Sequence, residues 1–190
     1  MDQYVFSEQP FAFLEQPEAL PRLRSHLSSK LKSNESDIII VGSAQVGFSL
    51  SPDSFFRPFS DVSDIDVLIV DEKLFDTIWM AMLRWHYPRR SWLDGSDGDW
   101  AKRRQKELYW GWFTPNRIRF DGLTLPEMLR PVRDLSTNWF NAFRSLSQYR
   151  EFSRRDVSGR LYRTWEHARL YHESGLLQIR EIIMKGDSQK

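Results

Sequence analysis

An α/β fold of the α+β kind, with a mixed sheet and helices flanking its strands, is what this chain predicts. Three observations lead there. Two short apolar runs, 37–41 and 65–70, read as strands buried on both faces. Apolar residues recur at helical spacing before the first run and after the second. The C-terminal third is patterned as helix. The order helix, strand, Gly-Ser, strand, helix is an α/β opening.

Residues 1–16 read as an irregular arm anchored by Phe6, Phe11, Phe13 and Leu14. Pro21 suits the start of a helix, and Leu20, Leu23, Leu27 and Leu31 follow at helical spacing. That helix should stop near Ser33-Asn34-Glu35-Ser36, ahead of the strand 37–41. After the strand 65–70, a helix from about Leu74 to Trp85 places Leu74, Ile78, Trp79, Met82 and Trp85 on one stripe. Residues 89–106 look like a loop that turns basic, followed by a strand at 107–113. Thr114-Pro115-Asn116 then turns into a second strand, 117–121. Pro126 and Pro131 punctuate the entry to helices at 139–146, 156–173 and 176–185, the last two separated near Ser174-Gly175. The expected organisation is a core over 1–125 and a helical extension over 126–190 packed on it.

Composition narrows the function classes. The 190 residues suffice for one domain with a real core. A net charge of +1 gives no global pull toward nucleic acid or membrane. With no cysteine, disulfides, thiolate chemistry and cysteine-rich zinc sites are excluded. No apolar run approaches a membrane span of ~20 residues, and the first residues lack the pattern of a signal peptide. A cytoplasmic protein is expected. Eight Trp and thirteen Phe are many for this length, and suggest an aromatic core, a partner surface rich in Phe and Trp, or both.

The chemistry concentrates in Val41-Gly42-Ser43-Ala44-Gln45-Val46-Gly47 and Asp61-Val62-Ser63-Asp64-Ile65-Asp66-Val67-Leu68-Ile69-Val70. Alternate residues of a strand share a face, so Asp64 and Asp66 project together. Two close carboxylates repel unless a cation or a proton lies between them. Mg²⁺ accepts such oxygen ligands and completes its shell with water and phosphate oxygens. Gly42 lets a phosphate approach the backbone, and the Ser43 hydroxyl adds a donor.

In these residues the chain resembles the polymerase-beta-type nucleotidyltransferase superfamily: apolar strand, Gly-Ser, short helix with a further Gly, then Ser-Asp-x-Asp running into an apolar strand. The resemblance spans residues 37–71. It implies a nucleotidyltransferase-like core, Mg²⁺ (or Mn²⁺) held by Asp64 and Asp66, and a nucleoside triphosphate bound through Gly42, Ser43 and Ser63. It implies transfer of a nucleoside monophosphate to a protein, RNA or nucleotide acceptor, with release of pyrophosphate. Small relatives include members of toxin–antitoxin and phage-defence modules. The sequence departs from the pattern twice. The Gly47–Asp64 connection is long and carries Phe55, Phe56 and Phe59. The third carboxylate, usually from a later strand, has no obvious counterpart; Asp121 is the first choice and Glu107 the second. Without one, the alternative is a degenerate relative that binds a nucleotide or a partner protein and performs no chemistry.

Lys102, Arg103, Arg117 and Arg119 are candidates to meet the triphosphate charge. The aromatics Trp92, Trp100, Tyr109, Trp110 and Trp112, interleaved with Arg89, Arg90, Lys102, Arg103, Arg104 and Lys106, could stack bases or simply form a core with a basic fringe. Arg160 and His167 form Arg-x6-His on the expected 156–173 helix. This is faintly similar to the signature of HEPN ribonucleases, and implies metal-independent RNA cleavage; a plain polar helix face is the simpler reading.

Overall fold

The computed structural model describes residues 9–89, 95–115, 127–152 and 155–187. Four strands, β1 (Ile38–Val41), β2 (Ile65–Val70), β3 (Trp112–Phe113) and β4 (Val157–Tyr162), form one sheet in the order β1-β2-β4-β3. β1 and β2 are antiparallel, β2 and β4 parallel, β4 and β3 antiparallel. The described helices are α1 (Ala19–Leu31), α2 (Ser43–Val46), α3 (Glu72–His86), α4 (Gly95–Tyr109), α5 (Arg130–Ser145) and α6 (Trp165–Asp187).

Both early strands bury residues on both faces, as their apolar runs require, with Asp66 the one exposed position of β2. One face meets α1, α3 and α5. There Ile38, Ile40, Ile65, Val67, Ile69 and Leu161 join Leu23, Leu27, Phe75, Ile78, Trp139 and Phe143 in the main core. The expected α1 positions Leu20, Leu23, Leu27 and Leu31 are all buried. On α3 the buried stripe is Phe75, Ile78, Ala81, Met82 and Trp85; Leu74 and Trp79 are only partly covered. Asp71 starts that helix by accepting from Leu74 N–H at 2.8 Å, and its other oxygen accepts from Ser33 Oγ at 2.8 Å. The opposite face of the sheet carries a smaller cluster, Ile39, Val41, Leu68, Val70 and Tyr162, covered by Ala168, Trp112 and Trp165.

Three expectations are corrected. Residues 157–162, read as the start of a helix, form β4, the strand beside β2. The C-terminal part is therefore no purely helical extension, and the sheet is continuous across residue 125. Gly159 explains the misreading. It faces the core where an apolar residue would have marked a strand, because a Cβ there would lie 2.3 Å from Phe143 Cζ. Residues 95–109, read as loop and then strand, form α4; Ala101 to Leu108 are mostly good helix formers. Of the aromatic run only Trp112 and Phe113 reach the sheet. α6 also runs unbroken through Gly175. The expected strand 117–121 lies outside the described residues. Among the described residues no helix is long and apolar enough to cross a membrane.

Candidate functional site

The antiparallel register sets the site. Val41 pairs with Asp66, so the chain leaves β1 directly beside that carboxylate. Gly42 turns there with φ +68° and ψ −149°, a conformation that is essentially glycine's alone. A Cβ on it would also sit 3.3 Å from Asp66 Oδ2. The residue is thus needed both for the turn and for the room it leaves. Ser43 opens α2, a single turn. Asp64 lies one residue before β2 and Asp66 is its second residue; both are exposed. Ser63 Oγ accepts from Ser60 N–H at 3.0 Å. Arg155 clips this loop in front of β4, donating to the Ser60 and Ser63 carbonyls and to Asp61, 3.2 Å away.

Gly42, Ser43, Ser63, Asp64 and Asp66 all line one cleft of about 1040 Å³. The long connection forms one wall. It closes on itself through the Phe48–Pro58 bridge, Ser49 N–H to Arg57 carbonyl at 2.8 Å and Phe56 N–H to Ser49 carbonyl at 3.1 Å. Phe55 and Phe48 pack on Phe56, with centroids 4.1 and 5.2 Å away, while Ser49, Ser51, Ser54 and Arg57 line the cleft. The facing wall is α6, with Tyr171 and His172, and the turn carrying Tyr109, Trp110 and Trp112. Phe56 and Trp110 are both exposed, and of the two Trp110 lines the cleft.

Not every predicted site residue joins them. The strand beside β2 is β4, and the residue in register with Asp66 is Ser158. Its Oγ donates to Asp66 Oδ1 at 3.2 Å. The side chain that the neighbouring strand presents to Asp66 is thus a hydroxyl. Glu107 sits on α4 in a 2.9 Å ion pair with Arg104 and does not line the cleft. Burial pulls that arginine's pKa down, and Glu107 opposes the shift. Asp121, Arg117 and Arg119 lie outside the described residues. Lys102 and Arg103 are exposed on α4, away from the cleft lining. Among the described residues no three metal-ligating side chains come together.

The Arg160–His167 pair is also corrected. Arg160 is on β4, its guanidinium 4.5 Å from the Trp112 ring and 4.4 Å from that of Tyr171. His167 is on α6, with Nδ1 2.7 Å from Thr164 Oγ1. They share no helix, so the geometry of an Arg-x6-His helical pair is not formed.

Sequence reasoning passed over Arg57, Ser158, the placement of Arg160, and His172. The alternation Ser158, Arg160, Tyr162 was the available signal for the second and third. Burial, then the charge of Arg160, pushes the His172 pKa down to about 4. Burial likewise raises the Tyr162 hydroxyl above its ordinary value. In comparisons with family models, curated proteins and solved structures, nothing matches this chain. Function is therefore read from the chemistry of the cleft.

Proposed function

We propose that this protein binds a nucleoside triphosphate with a divalent cation and transfers the nucleoside monophosphate to an acceptor hydroxyl. The observation that carries the reading is the juxtaposition of Gly42 and Asp66 in a cleft that also takes in Ser43, Ser63 and Asp64. The donor set suits Mg²⁺ (or Mn²⁺): two carboxylates on adjacent same-face positions, with space in front of them that a Cβ at residue 42 would take. Asp64 and Asp66 would hold the ion. Bound there, it supplies charge neutralisation for displacement at phosphorus. Ser43 and Ser63 offer hydroxyl donors to the phosphates, and Arg57 offers charge. Ser158 fixes the Asp66 carboxylate by its hydrogen bond. The acceptor class, protein, RNA or nucleotide, is left to experiment.

Calorimetry with ATP, GTP, CTP and UTP, each with and without Mg²⁺, tests the reading. Wild type should bind at least one of them in a Mg²⁺-dependent way. The Asp64→Ala/Asp66→Ala variant should lose that binding and keep its fold. Silence with all four nucleotides would sink the assignment. Labelled nucleotide would then find the acceptor.

Ser158 and the Arg104–Glu107 ion pair favour a second reading, in which the cleft binds its nucleotide without turning it over. Pyrophosphate release separates the two. A wild type that binds but releases none, while Ser158→Asp gains release, would establish a binding protein built on a transferase frame.

A further inference from the structure

Trp110 and Trp112 flank Gly111 at the turn from α4 into β3. Gly111 has φ +68°, and a Cβ on it would fall 1.9 Å from His167 Cδ2. Its carbonyl accepts from Arg163 N–H at 2.9 Å. The turn is thus fastened to the segment that joins β4 to α6.

On this mount the rings form a ladder. Trp110 stacks on Trp112 with centroids 6.1 Å apart and planes 23° apart. Arg160 of β4 follows, 4.5 Å from Trp112, and Tyr171 of α6 closes the far side at 4.4 Å. The inner members, Trp112 and Arg160, are partly buried, whereas Trp110 is 54 % exposed. Trp110 lines the same cleft as Asp64 and Asp66. An indole stacked on a partly buried ring, open to water and lining one cleft with a pair of carboxylates, is poorly explained as core. It is well explained as a surface for a flat ligand, since its placement is fixed before binding.

The charges select the ligand's size. Arg57, Asp64 and Asp66 are the charged residues that line the cleft among the described residues. A nucleic-acid backbone needs a row of cations to track it, so the surface fits one base better than a strand. We infer that Trp110 is the stacking residue for the nucleobase, and that the base is a purine, whose two fused rings cover more of an indole than a pyrimidine does. The triphosphate part of this picture rests on the function proposed above; the stacking part does not.

Three probes divide the ligand: ATP with Mg²⁺, inorganic tripolyphosphate with Mg²⁺, and adenosine alone. They are titrated into wild type, Trp110→Ala, Trp110→Phe and Asp64→Ala/Asp66→Ala, with melting temperatures as a fold control. Trp110→Ala should weaken ATP and adenosine by about tenfold and leave tripolyphosphate unchanged. Trp110→Phe should restore most of the loss. ATP and GTP should bind several-fold tighter than CTP and UTP. Unchanged ATP affinity in Trp110→Ala, or equal affinity for purines and pyrimidines, overturns the inference. If tripolyphosphate binds and needs the two aspartates while Trp110 is indifferent, the stacking inference fails and the proposed function stands. If adenosine binds through Trp110 while neither phosphate probe needs the aspartates, the proposed function fails and the stacking inference stands. Binding of none of the three overturns both.

Discussion

The two faces of one four-stranded sheet have been put to opposite uses. On the first, α1, α3 and α5 seal a continuous apolar core, in which Trp139, Phe75, Phe113 and Phe152 are fully buried. On the second, α6 covers only the half nearest Leu68, Val70 and Tyr162. The other half is left to Asp66, which accepts from Ser158 and lines the cleft together with Asp64. The same strands serve both, because side chains alternate: Ile65 and Val67 point into the core while Asp66 between them faces the cleft. The lesson is that the buried core and the open cleft are separated by one residue of register.

That separation can be broken most severely from the core side. Trp139→Ala should cost about 4 kcal/mol, read from urea denaturation, with nucleotide affinity unchanged at low temperature where the variant stays folded. A loss below about 1 kcal/mol would mean that the first face is not the stabilising one.

The next effect sits on α6, over the second face. His172 is neutral in the fold, with its pKa pushed down to about 4 by burial and then by Arg160. Unfolded, it titrates near its ordinary value of 6.5. Between those values only the unfolded chain takes up the proton. The contribution is therefore complete above pH 6.5 and is lost as the pH falls toward 4, about 3 kcal/mol in all. Tyr162, whose ring packs on His172, has its hydroxyl pushed up by burial and stays neutral across this window. His172→Gln should flatten the acid side of the stability profile measured between pH 7 and 4; an unaltered profile in that variant would assign the acid sensitivity elsewhere.

The smallest effect belongs to the cleft. Asp66→Asn should raise the melting temperature by about 1 °C without divalent cation, because it relieves repulsion from Asp64, while Mg²⁺-dependent nucleotide binding disappears. A fall of several degrees would instead make Asp66 a structural residue held through Ser158.

The first face was far more legible in the sequence than the second. Continuous apolar runs and leucines at helical spacing leave little choice for β1, β2, α1 and α3. Gly42, Ser43, Ser63, Asp64 and Asp66 were legible too, because all five sit on or beside those strands. What stayed hidden depended on tertiary contact. β4 presents Gly159 to Phe143 where a strand would normally show an apolar side chain, and it runs after two residues into α6. With β4 unseen, Ser158 could not be placed against Asp66, and Arg160 was assigned to a helix instead of an aromatic ladder. α4 begins with Gly95-Ser96-Asp97-Gly98-Asp99, composition that locally favours a turn.

The pairing of β2 with β4 joins residues 92 positions apart in the chain. As the polypeptide emerges from the ribosome, β2 is complete long before its neighbour exists. Until residue 162 is out, one long edge of an almost wholly apolar strand has no partner, a template for association with other chains. Closing so large a loop is also slow relative to local folding. Synthesis of this protein should accordingly demand chaperone protection over that interval, and chains ending before residue 157 should aggregate rather than persist as a smaller folded unit.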